Sequence, residues 1–92
     1  MNKTTSLEKK IQNIVNLYKS KKFGEAEVLA KQLVTVHPKV VILYEIIGLI
    51  FLAQNRIKDA ESIFKKGISI NPNYASIYNN LGNICKLQSK FN

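Results

Sequence analysis

The chain is poor in the residues that do chemistry. It holds one cysteine (Cys85), one histidine (His37), one arginine and no tryptophan among 92 residues. A single cysteine excludes an internal disulfide, and with His37 alone beside a proline no zinc-ligand spacing exists. Two prolines and four scattered glycines leave little room for disordered linkers and form no phosphate-binding loop. The longest apolar run, residues 40–53 interrupted only by Glu45 and Gly48, falls short of the roughly 20 residues that cross a bilayer. No N-terminal stretch passes from basic through apolar to small residues as a signal peptide does. A cytoplasmic protein with no membrane attachment is expected. Carboxylates are scarce too. Glu8, Glu25, Glu27, Glu45, Asp59 and Glu61 mostly belong to solvated helix faces, with no pair set among apolar residues where an acid catalyst's pKa would rise. Cys85 has no histidine to activate it and lies on an apolar helical stripe, which marks it as small core filling. No catalytic residue, metal site or cofactor is predicted, and the chain is not read as an enzyme.

Charge is abundant on one side only. Fourteen Lys and Arg stand against six Asp and Glu, a formal charge of +8, which draws anionic partners without specifying a fold. The cations are dispersed over both halves, and thirteen of the fourteen are lysines, poorer than arginine at bidentate recognition of phosphate or bases. Nucleic acid is therefore not the expected partner, and the Lys-, Asn- and Ile-rich composition equally fits an AT-biased genome. With 46% hydrophobic and 22% charged residues the chain reads as one small globular domain.

Hydrophobic spacing divides the chain into five helices. Thr5 and Glu8 have the Thr-x-x-Glu spacing of a capping box, after frayed residues 1–5. Leu7, Ile11, Ile14, Val15, Leu17 and Tyr18 then recur at helical intervals, until the polar run Lys19–Lys22 ends the helix. Gly24 is expected to supply the turn. A second helix spans about 25–36 and stops before Pro38, which restricts His37 to extended backbone. The third runs over about 39–54, with Asn55 as a left-handed terminator. The fourth places Ile57, Ala60, Ile63, Phe64, Gly67 and Ile68 inward and breaks at Asn71-Pro72-Asn73. The fifth covers about 74–88, and residues 89–92 begin a turn. Shifted by 34 residues the chain overlies itself: Tyr44 falls on Tyr78, Gly48 on Gly82, Ala26 on Ala60 and Pro38 on Pro72. A period of this length means stacked helical hairpins, an architecture that lives by offering a surface.

On these residues the chain resembles the tetratricopeptide repeat (TPR) family, whose unit is a 34-residue antiparallel helix pair. Residues 41–74 match best, with Tyr44, Ile47, Gly48, Phe51, Ala60, Phe64, Gly67 and Pro72 at the family's preferred positions. Residues 7–40 form a degenerate first repeat that keeps Leu17, Ala26, Ala30, Leu33 and Pro38 but has Lys10, Asn13 and Ile14 at the aromatic, large apolar and small positions. Residues 75–92 form a truncated third repeat with Tyr78, Leu81, Gly82 and Cys85. The resemblance implies an all-α superhelix, a right-handed array of antiparallel hairpins with about five helices, covering residues 1–92 as a single domain.

In that family the first helices of successive hairpins line a concave groove. The positions that would bind a partner peptide or helix are Ile11, Gln12 and Val15, then Ile42, Glu45, Ile46 and Leu49, then Asn79, Asn80 and Asn83. The middle helix is apolar all round, a pattern that usually means burial on every side. A peptide covers it, or a second copy of the chain does, or curvature and neighbouring helices hide most of it. A homodimer is also considered through helix five, where Ile77, Leu81 and Ile84 lack a hairpin partner. The string from Tyr78 to Asn83 is similar to units that precede sugar-transferring domains of the O-GlcNAc transferase type, where an asparagine ladder holds substrate. Asn80 sits at the ladder position, yet Gln12 and Ile46 occupy its equivalents. A third reading makes these the substrate-presenting repeats of a longer bacterial glycosyl- or sulfo-transferase. The carboxylate clamp of the chaperone-binding subfamily is absent, since its positions hold Ile11, Val15, Ile46, Ser76 and Asn80.

Overall fold

A computed structural model describes residues 5–91, with side chains through Ser89. Helices α1 (Ser6–Lys19), α2 (Phe23–Val36), α3 (Val41–Ala53), α4 (Ile57–Ile70) and α5 (Ala75–Phe91) make up the fold, with no strand among the described residues. Of the fraying expected over residues 1–5, all but Thr5 falls outside the described residues. Thr5 itself is a cap: its hydroxyl accepts from the Glu8 amide at 3.0 Å, and its own amide donates back to Glu8 Oε1 at 3.4 Å. This is the capping box that the Thr-x-x-Glu spacing specifies.

The turn inside each hairpin is set by a left-handed residue, and in the first it is not Gly24. Lys21 takes φ 62° and Asn55 takes φ 61°, while Gly24 lies within α2 without a positive φ. At both places the chain closes the same way. Lys22 N–H donates to the Leu17 carbonyl and Lys21 N–H to that of Tyr18; Arg56 and Asn55 repeat the pattern on Phe51 and Leu52. These paired bonds satisfy the orphan carbonyls of the last helical turn. The turn expected over residues 89–92 is absent through Phe91: α5 runs on through Ser89, the place of Lys21 and Asn55, and Asn92 lies outside the described residues.

The loops between hairpins form around the two prolines. Tyr44 donates its hydroxyl to the Pro38 carbonyl at 2.6 Å, and Tyr78 to that of Pro72 at 2.8 Å. In the second loop the Asn71 side chain also accepts from the Asn73 amide, a local turn characteristic of asparagine. Each tyrosine thereby fastens the start of a hairpin to the loop that precedes it.

Helix α3 sits at the centre, packed on α2 and α4 and touching α1. Leu43, Ile47 and Ile50 are essentially inaccessible, and Phe64 of α4 is fully buried against them. Gly48 is small because a Cβ there would strike the Phe64 ring, and one on Gly67 would stand 2.6 Å from Ile77 Cδ1 of α5. Glycine thus lets helices approach closely at two places, Gly48 within the second hairpin and Gly67 where that hairpin meets α5.

Candidate partner-binding face

The face shared by α1, α3 and α5 is where groove residues were expected. On α1, Ile11 and Val15 are half-buried against the core, while Gln12 is exposed and donates to Asn16 at 3.0 Å. On α3, the neighbouring helices cover most of the apolar lining. Ile46 is only 8% exposed and Leu49 half-buried, which leaves Ile42, at 37%, as the accessible aliphatic residue of that set. Ile46 therefore belongs to the core. A polar substitution there would test folding rather than docking.

Glu45 organises this face. Its Oε1 accepts from the Tyr74 hydroxyl at 2.8 Å, and its Oε2 from the Asn80 amide at 3.1 Å and from the Ser76 hydroxyl. One carboxylate on α3 thus holds the start and second turn of α5. Burial, and then donation to Glu45, pushes the Tyr74 phenol up to about 12. Asn80 has its amide committed to Glu45, whereas Asn79 and Asn83 are exposed. Tyr74 was not among the expected site residues. The signal was present in the spacing, because stacked hairpins bring groove positions of one repeat against those of the next, and Glu45 meets hydroxyl and amide donors about one period later.

A second polar cluster joins the first hairpin to the second at the turn end. Arg56 donates to Glu27 at 3.0 Å and to Asp59 at 3.0 Å, with its guanidinium carbon 4.3 Å from the centre of the Phe51 ring. Lys31 pairs with Glu27 at 2.8 Å and lies 5.3 Å from the same ring centre. The hydrogen bond from Lys31, opposed by burial and aided by Arg56, lowers the Glu27 pKa; the bond to Asp59, then that to Glu27, raises the Arg56 pKa.

Helix α5 corrects two expectations. Ile77 and Ile84 are fully buried and Leu81 is half-buried, because that row turns inward onto α4 rather than toward an absent partner. The open face carries Tyr78 at 47% exposure, Gly82 and Cys85, while exposed Leu87 lies on the opposite side of the helix, with Asn80 and Asn83. Cys85 is exposed instead of filling the core, since no helix among the described residues lies where α4 covers Phe51 in the preceding repeat. Among the described residues, no three His, Cys, Asp or Glu side chains are grouped to hold a metal ion, and no helix is long and apolar enough to cross a membrane.

No curated protein matches the chain. Residues 48–89, from the middle of α3 through α4 and most of α5, match the family model described as TPR repeat. Helix starts at Phe23 and Ile57, ends at Val36 and Ile70, and the Tyr44 and Tyr78 loop bonds all recur at the period of that family. The match to tetratricopeptide repeats over residues 48–89 and the five helices of the described residues are together consistent with about two and a half such repeats.

Proposed function

We propose that this interaction module holds a peptide or helix of another protein along the face of α1, α3 and α5. The observation that carries the reading is the Glu45 tie. By tying α5 to α3 it holds the backbone that carries exposed Asn79 and Asn83 in a fixed place relative to the helix that carries Ile42, so a ligand meets polar and apolar groups on helices that need no rearrangement. The accessible contact set is Gln12, Ile42, Asn79 and Asn83, with Ile11, Val15 and Leu49 beneath them. Replacing Ile42 by Asp should abolish partner capture without shifting the melting temperature, whereas Lys66→Glu on α4 should leave capture intact. Equal capture by all three proteins would exclude this face.

A second reading, self-association, draws on the open side of α5. Tyr78, Gly82 and Cys85 occupy it, and Gly82 has nothing within 4 Å of the place its Cβ would take. A second copy would pack there and not on Ile77 or Ile84. Sedimentation velocity over a wide concentration range separates the two readings, and a Gly82→Lys variant should remain monomeric throughout.

A further inference from the structure

The first hairpin departs from the second in a way that leaves a hole. Lys10 and Asn13 stand on α1 where Tyr44 and Ile47 stand on α3. Those two α3 side chains are 8% and 1% exposed and fill the seam of their hairpin. Neither replacement is apolar. The consequence appears on α2, where Val36 is 70% exposed against 40% for Ile70 at the same place in α4. Between α1 and α2 lies an open pocket of about 280 Å³ whose lining includes Lys10, Asn13, Leu29, Leu33, Val36 and His37. Leu33 is nearly buried at 7% and forms its base, while Lys10 and Asn13 are exposed at its mouth. The apolar strip continues along α2 through Leu29 to Val28, which is 55% exposed.

We propose that this pocket docks one aromatic side chain of an acidic partner segment. Shape admits an aromatic group, because the pocket opens beside Lys10 and Asn13, which stand where Tyr44 and Ile47 stand one period later, and a ring in a pocket is the usual anchor of a protein interface. Charge selects the acidic context. The pocket lining contains the Lys10 ammonium and no carboxylate, on a chain of net charge +8, so carboxylates flanking the ring gain attraction and a basic segment is repelled. The site is separate from the groove proposed above. At 100° per residue, Lys10 and Asn13 fall on a different side of α1 from Ile11, Gln12 and Val15, so either proposal can fail alone.

The test uses the full chain and a capped helical peptide carrying one phenylalanine among glutamates, with binding read from the methyl resonances of Leu29, Leu33 and Val36. Saturable shifts are expected. The same peptide with alanine for phenylalanine should bind roughly tenfold more weakly or worse, the usual cost of losing an aromatic anchor. Lys10→Gln should weaken binding by roughly two- to five-fold, as for an exposed ion pair. The double variant Lys10→Tyr with Asn13→Ile restores the residues of the second repeat. It should melt at a higher temperature and lose the peptide. Should that variant not fold, Val36→Asp, at an exposed position, should lose the peptide equally. Unchanged affinity in the filled or Val36→Asp protein, or equal binding of the alanine peptide, overturns the proposal. Shifts of the same methyls with protein concentration alone would assign the pocket to a second copy, and overturn it as well.

Discussion

Two glycines at equivalent positions carry opposite burdens. Gly48 lies under the Phe64 ring, and Gly82 faces open space. Gly48→Ala should overpack the hairpin and cost about 1–3 kcal/mol. Gly82→Ala should instead stabilise by about 0.5–1 kcal/mol, since a mid-helix glycine loses more freedom on folding than alanine and nothing obstructs the methyl. Urea melts of the two variants check the pair, and a loss in both would show that α5 is covered in solution. The left-handed turn residues provide a second contrast. Asn55 was legible as a terminator because asparagine tolerates positive φ, but the equivalent residue is Lys21, whose side chain gives no such signal, and nearby Gly24 attracted the assignment. Lys21→Gly should raise stability by about 0.5–1 kcal/mol, the left-handed penalty of a lysine less the extra unfolded-state freedom of glycine. A fall in the urea midpoint would contradict this account.

Between elements, the polar contacts act as ties with definite pH windows. The Tyr74 phenol is pushed up to about 12 by burial and its bond to Glu45, so the folded state favours the neutral ring. The corresponding stability is complete below pH 10, the ordinary value of the group, and is lost as pH rises from there through about 12. Tyr74→Phe should therefore show a smaller loss over that interval than the parent protein, measured by urea midpoints at successive pH values; identical slopes would mean that α5 is not held this way. Glu27 works at the other extreme. Its pKa is lowered by Lys31 and Arg56, so its contribution is present above the ordinary carboxylate value and disappears as pH falls through the lowered one. Helix positions were readable from spacing because apolar residues at three- and four-residue steps admit few alternatives. Which side of a helix its neighbours cover was less readable. Ile46 and Leu49 look like groove lining when α3 is taken alone, and only the packing of neighbouring helices around it buries the first and half-buries the second. Cys85 and the row Ile77–Ile84 were misjudged for the converse reason, since exposure on α5 depends on which helices flank it and not on its own pattern.

Over the whole molecule, stability should be graded along the array. In stacked hairpins each unit contacts its neighbours, so the middle of the row has partners on both sides and the ends on one. Helix α3 is packed on α2 and α4 and reaches α1, whereas α5 packs on α4 along one side and leaves Tyr78 and Leu87 exposed. The first hairpin is weakened separately, because Lys10 and Asn13 remove two apolar residues from its seam and leave the pocket beside Leu29 and Val36. Its α1 contributes one fully enclosed residue, Ile14, to the core, against seven buried positions on α3. Native-state hydrogen exchange should then find the slowest amides in α3 and the facing turns of α4, opening only with global unfolding. Amides of α1 and of the last two turns of α5 should exchange through cheaper local openings. Filling the seam with Lys10→Tyr and Asn13→Ile should slow exchange in α1 and α2 selectively and leave the end of α5 unchanged. Uniform protection across all five helices would mean that the chain unfolds as a single unit, and that the worn seam of the first hairpin has no energetic consequence.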